Sequence, residues 1–378
     1  MTKDSVLSSP MDISNEVVRE LDELLELAIE TTPTHALHLC VRVGDSTYTR
    51  SIGATSRGKG AVQAQNRDPM RIASVTKTFV AAAILRLWEL GRLELDGSLI
   101  KFLDAEEIRQ LKEHCYQPDL MTIRQLLGHT SGLFDYADTD AFYREIFADP
   151  QRHWTRRDQL ILALTEGAPY GPPGAVFGYS DTGYNFAGKI IETLTGQSLG
   201  VAIRSLLRIS DLGLSSTWYD FDESPPEDAL PLLHQYDSGM DMLTVHGSFD
   251  HYGGGGLIST VEDMSAFMAA LFAGQVFAHS HTLQTMLTPV PAIKGGPEHG
   301  GRKQEPGSYG LGIDGRSQGK VFLHKGHFGT LAAYVPQLQL AVGLSTGVAR
   351  TEGGNLLEQI FSRILRIFDM PIQVYAEL

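Results

Sequence analysis

The chain has 378 residues, of which 42% are hydrophobic and 20% are charged, as in a globular protein with a substantial core. A chain of this length predicts about two to three domains. The net charge of −14, without a basic cluster, excludes nucleic acid or an anionic membrane surface as the main partner. We therefore expect a small molecule or a short peptide as the substrate, and nothing in the composition indicates an oligomeric state.

The first residues, Met1–Pro10, contain no apolar stretch of signal-peptide length. No later segment reaches the roughly 18 uncharged apolar residues of a membrane span. These two observations predict a cytoplasmic location.

The N-terminal pattern predicts a helix followed by a β-hairpin. The helix covers about residues 14 to 31 and is followed by the apolar run His35–Val43. The pair Gly44–Asp45 then separates this run from a second strand-like run, Ser46–Ile52. A short turn between two such runs is typical of a hairpin.

The apolar run Thr78–Leu90 predicts a buried helix, because its apolar residues recur every three to four positions and Gly91 ends it. Ser74 and Lys77 stand at its head, one helical turn apart, so their side chains can meet. A serine in the first turn also faces the partial positive charge of the helix and main-chain N–H groups that can hold an oxyanion. By themselves, these residues fit a capping serine beside a solvated lysine equally well.

The Ser-x-x-Lys spacing is weak evidence, since it occurs four times in this chain. The other three pairs are Ser56 with Lys59, Ser98 with Lys101 and Ser317 with Lys320. The Ser56 and Ser317 pairs lie in segments with turn composition, and the Ser98 pair is not followed by a long helical pattern.

The C-terminal part predicts a series of strands and a closing helix. The strands cover Tyr309–Ile313, Val321–His324, Leu331–Val335 and Leu338–Ser345, and the helix covers Leu356–Phe368. We expect strands from both chain ends to share one antiparallel sheet flanked by helices, so that the fold class is α/β in the α+β sense.

The middle of the chain contains mostly helical patterns and polar loops, which predicts an inserted, mostly helical lobe. Residues 1–73 and 300–378 would form the sheet lobe, and residues 74–299 would form the helical lobe. We expect the active site in the cleft between the two lobes.

Several motifs together resemble the serine β-lactamase and D-alanyl-D-alanine carboxypeptidase superfamily, and most closely its class C β-lactamase, carboxypeptidase and esterase branch. They follow the family order and span almost the whole chain, which makes them more specific than any single motif. The motifs are Ile72–Lys77, Leu126–Gly132, Tyr179–Tyr184, Gly254–Thr260 with Asp263–Met264, and His324–Gly326.

The resemblance implies that Ser74 is a nucleophile that forms an acyl-enzyme, with Lys77 and Tyr179 moving the proton, and that no cofactor is needed. The chemistry agrees, because a serine hydroxyl needs a nearby base and a lysine ammonium stabilises a neighbouring phenolate. We therefore expect Lys77 and Tyr179 to titrate as a coupled pair. Without the other motifs, Tyr179 would be interpreted as a packed aromatic residue.

The segment His324-Lys325-Gly326 resembles the family strand that lies along the substrate, in which a basic residue comes first and glycine third. The resemblance implies that the main-chain N–H groups of His327 and Ser74 hold the oxyanion. The alternative for His324 is an ordinary strand histidine bonded to a carbonyl group.

Two departures from the family pattern narrow the range of substrates that we expect. Asp181 stands where many relatives carry asparagine; ionised, it only accepts hydrogen bonds, and its charge would keep Lys77 protonated. His324 is a weaker anchor for a carboxylate than lysine, because its usual pKa is near 6.5. We expect a neutral ester or amide, or a D-amino-acid substrate that offers an amine to Asp181, rather than penicillins or peptides with a free carboxylate.

Other motifs and functions are less well supported. His279 and His281 have the spacing of a metal pair, but no motif completes a metal site, and Gly253–Gly256 lacks the end of a phosphate loop. His129 is expected to hold its loop through hydrogen bonds. The alternatives for the function are an acyltransferase, a penicillin-binding sensor that is acylated once, and a scaffold without turnover.

Overall fold

A computed structural model describes residues 12–298 and 306–371. The strands of these described residues are β1 Ala36–Val43, β2 Ser46–Gly53, β3 Met70–Arg71, β4 Val176–Phe177, β5 Trp218–Tyr219, β6 Tyr236–Asp237, β7 Met240–Asp241, β8 Leu257–Ser259, β9 Lys294–Gly295, β10 Asp314–Arg316, β11 Val321–Gly326, β12 Thr330–Val335 and β13 Leu340–Ser345. The α-helices are α1 Asn15–Thr31, α2 Thr76–Glu89, α3 Ala105–Glu113, α4 Ile123–Leu127, α5 Asp140–Ala148, α6 Arg156–Glu166, α7 Asp181–Thr195, α8 Leu199–Leu207, α9 Val261–Phe272, α10 Ser280–Leu287, α11 Arg350–Gly353 and α12 Leu356–Ile367.

The main sheet has six strands in the order β10-β11-β12-β13-β1-β2, and every neighbouring pair is antiparallel. The N-terminal hairpin joins the C-terminal strands through β1 and β13, where Cys40 pairs with Gly343. The predicted fold class, an antiparallel sheet built from both chain ends and flanked by helices, is therefore confirmed.

The two faces of this sheet bury different helices, as the alternation of side chains along β1 requires. Leu37, Leu39 and Val41 belong to an apolar cluster with α1 and α12, whereas Ala36 and Cys40 belong to the cluster that contains α2 and α9. The sheet is thus covered on both faces.

Helix α2 lies in the centre of the protein and is buried on almost every side. Only its last turn carries partly exposed residues, and Phe79 near its start stacks on Phe267 of α9 at 3.7 Å between ring centroids. Because the first turn is also buried, side chains that precede it are held inside a packed environment.

The predicted boundaries of the two lobes, residues 1–73 with 300–378 and residues 74–299, stay a prediction.

The predicted strand at Tyr309–Ile313 is wrong, because the strand of this region is Asp314–Arg316. Gly312 has a φ of 73°, which is outside the range of a strand. A Cβ atom at this position would lie 2.7 Å from the Lys77 carbonyl oxygen. The segment therefore packs against the main chain of α2 instead of pairing along its whole length.

Among the described residues, no helix is both long and apolar enough to cross a membrane. Residues 1–11, which carry most of the location prediction, lie outside the described part of the chain.

Candidate active site

Ser74 lies in a 3-10 turn, Ala73–Val75, that leads directly into α2. Ala73 has a φ of 46°, a strained conformation for a residue with a side chain, and such strain is concentrated at functional sites. Arg71 supports the approach to this turn, because its guanidinium donates to the carbonyl oxygens of Met242 and Val245 at 2.6 and 3.0 Å. The serine is partly exposed, although the residues around it are buried.

Lys77 is fully buried, and oxygen atoms from distant segments surround its ammonium group. Its Nζ donates to Ser74 Oγ at 2.7 Å and to the Gly254 carbonyl oxygen at 2.6 Å. It also forms an ion pair with Asp181 at the start of α7. A lysine has only three N–H donors, and these oxygen atoms together with the Tyr179 hydroxyl surround all of them within the protein.

The neighbours of Lys77 decide its charge. Burial lowers the pKa of the ammonium, but the Asp181 carboxylate and the Tyr179 hydroxyl outweigh this effect, and the pKa of Lys77 is raised above its usual value. Lys77 is therefore a cation in the resting protein, as we expected from Asp181.

Tyr179 completes the group, because its hydroxyl shares hydrogen bonds with Lys77 and Ser74. Lys77 Nζ also lies 5.0 Å from the centre of the phenol ring. Burial raises the pKa of Tyr179 more than the Lys77 ammonium lowers it, and Asp181 raises it further. The phenol is thus neutral at rest, although we expected a lowered pKa.

His129 holds the segment around Tyr179, as predicted. Its ring lies 4.1 Å from the Tyr179 ring, centroid to centroid. Its Nδ1 accepts the Ser180 N–H at 3.1 Å, and its carbonyl oxygen accepts the Gly178 N–H at 2.8 Å. The main chain on both sides of Tyr179 is therefore bonded to one residue.

Asp135 orients Asp181 from a distant segment. Its Oδ1 accepts the N–H of Asp181 at 3.1 Å and that of Ala137 at 3.0 Å. Ser180 precedes α7, but its hydroxyl donates to the Phe134 carbonyl oxygen and accepts no N–H group of the first turn. Asp135 thus satisfies an N–H group at the start of α7 and fixes the carboxylate that faces Lys77.

His324 is buried in β11 and lines the same cavity. Its Nδ1 lies 2.9 Å from the Lys325 carbonyl oxygen, which can only accept, so Nδ1 carries the proton. Its Nε2 then accepts the Tyr309 O–H at 2.8 Å. Burial, together with the Lys77 charge, lowers the pKa of His324 to about 3. The imidazole is neutral at physiological pH and offers no charge to a substrate carboxylate.

Gly326 ends β11 beside the nucleophile segment. A Cβ atom here would lie 2.3 Å from the Ile72 carbonyl oxygen, so only glycine allows this approach of strand and turn. His327 follows at the edge of the cavity, with its side chain 37% exposed. The structure therefore brings the predicted residues Ser74, Gly326 and His327 to one cavity.

The cavity has a volume of about 1080 Å³, and seven acidic side chains line it together with Ser74 and three lysine or arginine side chains. The acidic residues are Asp135, Asp138, Asp181, Asp237, Asp250, Asp314 and Glu358, and the basic ones are Arg316, Lys325 and Arg350. Burial, with a contribution from Asp181, raises the pKa of Asp250 to about 7. Hydrogen bonds and the charge of a neighbouring histidine overcome burial and lower the pKa of Asp237. The cavity is therefore acidic.

Asp135, Asp237, Asp250 and Tyr309 also line this cavity, although we did not predict them from the sequence. Asp135 follows Gly132 closely, and this proximity to a motif was a usable signal. The other three belong to no motif that we identified. Within residues 12–298 and 306–371, no group of three or more histidine, cysteine or acidic side chains could hold a metal ion.

The chain is similar to known proteins of one family, the β-lactamase family. The family model described as Beta-lactamase matches residues 28–357. The chain is 29% identical over 198 residues to Penicillin-binding protein 4 of Amycolatopsis lactamdurans, a match that covers 51% of this chain and 45% of that protein. It is 26% identical over 338 residues to Esterase EstB of Burkholderia gladioli, covering 77% and 85% of the two chains.

A solved structure, that of a D-stereospecific amidohydrolase from Streptomyces sp., superimposes with a TM-score of 0.71 and 26% identity. The superposition covers 91% of this chain and 98% of that one.

The neutral state of His324 predicts a pH dependence of stability. The folded pKa of about 3 lies below the usual 6.5, so the unfolded chain binds more protons between these values and stability rises with pH. His324 should cost about 1.4 kcal/mol of unfolding free energy for each pH unit below 6.5. Denaturant unfolding between pH 7 and 5 should show a smaller slope for His324→Asn than for the unmodified protein. Equal slopes would contradict the assignment, and His279→Asn, at an exposed position, is the control.

Proposed function

Because the chain belongs to the β-lactamase family of hydrolases, we propose that it cleaves an ester or amide through an acyl-enzyme formed on Ser74. The observation that carries this proposal is the 2.7 Å hydrogen bond from Lys77 Nζ to Ser74 Oγ, with the Tyr179 hydroxyl bonded to both groups. A hydroxyl, a cation and a phenol thus meet at one wall of the acidic cavity.

In the proposed acylation step, the phenolate form of Tyr179 takes the proton of Ser74 as Oγ bonds to the substrate carbonyl carbon. The Lys77 ammonium stabilises this phenolate, although the phenolate is a minor form at neutral pH. As the carbonyl re-forms, the bond to the leaving group breaks, and neutral Tyr179 returns the proton to the departing amine or alkoxide.

In the proposed deacylation step, Tyr179 takes a proton from water as the water oxygen bonds to the acyl carbon. The same proton then passes to Ser74 Oγ, the ester bond breaks, and the acid leaves. In both steps the N–H groups of Ser74 and His327 would hold the negative oxygen. The positive end of the Ser74 turn supports this arrangement.

The charges of the cavity support a neutral or amine-bearing substrate. Lys77 is bonded to protein oxygens and His324 is neutral, so neither of these two residues offers a positive charge to a carboxylate. Of the other cations of the cavity, Arg316 is paired with Asp314 and Lys325 with Glu358, and acidic side chains outnumber basic ones in the lining. The lining aspartates would instead attract an ammonium group. We therefore favour a neutral ester or a D-amino-acid amide or peptide over penicillins. The cytoplasmic location stays a prediction, which cell fractionation would test.

The direct test is a panel of substrates with the unmodified protein and Ser74→Ala. The panel contains a neutral ester, a D-amino-acid amide with its L-enantiomer, a dipeptide with a free carboxylate and a chromogenic cephalosporin. We expect the highest kcat/KM for the ester or the D-amide, and no turnover by Ser74→Ala with unchanged unfolding. Near-normal hydrolysis by this variant would refute the proposal. A burst of one equivalent without turnover would favour the sensor, and product transfer to an added alcohol or amine would favour the acyltransferase.

The raised pKa of Tyr179 predicts an alkaline rise in activity. Below that pKa the phenolate fraction increases about tenfold per pH unit, so kcat/KM should keep rising between about pH 7 and 9. Tyr179→Phe should lose both activity and this rise. Asp250→Asn removes the contribution of a carboxyl group that could also change its charge in this range, because burial raises the pKa of Asp250 to about 7. A plateau at neutral pH in both the unmodified protein and Asp250→Asn would contradict Tyr179 as the base.

Asp181→Asn should improve acylation by β-lactams. The change removes a negative charge that raises the pKa of Tyr179 and that repels an anionic ligand. We expect roughly 3- to 10-fold faster acylation by a cephalosporin, since one pKa unit changes the phenolate fraction about tenfold. Asp138→Asn, which removes a charge from the same cavity, is the control. An unchanged or slower rate for Asp181→Asn would count against the electrostatic argument.

A further inference from the structure

The turn between β11 and β12 is held closely against main chain at both ends. A Cβ atom at Gly326 would lie 2.3 Å from the Ile72 carbonyl oxygen, and one at Gly329 would lie 2.3 Å from the Val348 carbonyl oxygen. A hydrogen bond of 3.1 Å from the Gly329 N–H to the Gly326 carbonyl oxygen closes the turn. The position of the turn therefore determines where its N–H groups lie relative to the Ser74 segment.

The two residues inside the turn are anchored on opposite sides. Phe328 is 1% exposed and belongs to an apolar cluster that includes Ala73 and Phe249. His327 instead leaves this cluster, and its Nε2 lies 2.6 Å from Asp237 Oδ2. Because a carboxylate only accepts, this nitrogen carries a proton. One side chain is thus held by burial and the other by an ion pair or charged hydrogen bond.

The Asp237 carboxylate is fixed in position to accept the hydrogen bond from His327. The residue is 1% exposed, and its Oδ1 accepts the hydroxyls of Thr351 at 2.6 Å and Ser238 at 3.1 Å. Its other oxygen faces His327. The hydroxyls come from the β6–β7 connection and from α11, so three separate segments meet at one carboxylate. A buried carboxylate satisfied in this way is charged and fixed in position.

The main-chain N–H of His327 has no acceptor among residues 12–298 and 306–371. We propose that Asp237 is a positioning residue that acts through the His327 side chain to aim this N–H at the developing oxyanion. The inference rests on the proposed function, in which His327 supplies the second oxyanion donor. Asp237 itself touches no reacting atom in this scheme.

The chain offers a matched control for this pair. His234 Nδ1 lies 2.5 Å from Asp241 Oδ2, and both residues belong to the same hairpin region as Asp237. Neither His234 nor Asp241 lines the cavity. His234→Leu therefore removes a similar histidine–aspartate contact without changing a residue of the oxyanion turn.

The experiment compares His327→Leu, Asp237→Asn and the double variant with His234→Leu, on the best substrate of the panel, because leucine has no donor to replace the histidine N–H. Loss of one oxyanion donor costs about 10²- to 10³-fold in kcat, and a displaced donor costs less. We expect each single variant to lose roughly 10- to 100-fold in kcat at nearly constant KM. The double variant should lose little more than the worse single variant, because the two residues act as one unit. His234→Leu should keep the kcat of the unmodified protein.

A second measurement separates positioning from simple stabilisation of the turn. Phenylboronic acid forms a tetrahedral adduct with a serine and places an oxygen where the oxyanion develops. Its inhibition constant should rise in the variants in proportion to their loss of kcat/KM, while the substrate KM stays constant. A kcat and an inhibition constant within about twofold of the unmodified protein would overturn the inference. A lower melting temperature of the variants with unchanged kcat and inhibition constant would also overturn it.

Failure of the proposed function would look different, because the unmodified protein would then lack turnover or Ser74→Ala would keep it. If His327→Leu does not fold, Thr351→Val serves instead, since it removes the Thr351 hydroxyl that donates to Asp237 and accepts the Ser238 N–H, and it keeps the His327 side chain. The same constant KM, lower kcat and weaker boronate binding are expected, and unchanged values would overturn the inference.

Discussion

The buried ammonium of Lys77 is the constraint on which the rest of the site depends. A charge removed from water is tolerated only where partners replace its hydration, and leaving such a group unpaired costs several kcal/mol. The partners of Lys77 come from the Ser74 turn, from Asp181 at the start of α7 and from the Gly254 carbonyl group. Packing of α2 into the core therefore brings together the segments that carry the proposed chemistry, and stability and function share one set of contacts.

The same network decides the electrostatics of the cavity. Asp181 keeps Lys77 charged but raises the pKa of Tyr179, so the resting site holds a cation beside a neutral phenol. His324 loses its charge because it is buried near this cation and bonded to Tyr309. The family strand thus places a neutral histidine in the cavity, and the positive charge of its Lys325 is paired with Glu358, which supports the proposed substrates without a carboxylate.

Local patterns predicted much of the fold. The first helix, the hairpin and the strands at Val321–Gly326 and Thr330–Val335 agree closely with the structure, because alternation and turn residues act over short distances. The strand predicted at Tyr309–Ile313 failed, since its apolar alternation does not reveal that Gly312 meets the main chain of α2. Asp135 and Asp237 were missed for a similar reason, because their partners lie far away in the chain.

The sequence by itself determined the order of the motifs, the helix that carries Ser74 and Lys77, and the family to which these residues point. These properties depend on residue identity and on spacing within a few turns or strands. Only the tertiary structure decided that His324 is neutral, that burial raises the pKa of Asp250 to about 7 and that Asp237 bonds to His327. The physical reason is that a pKa and a hydrogen bond depend on burial and on neighbours that folding brings from distant positions, which no local pattern contains.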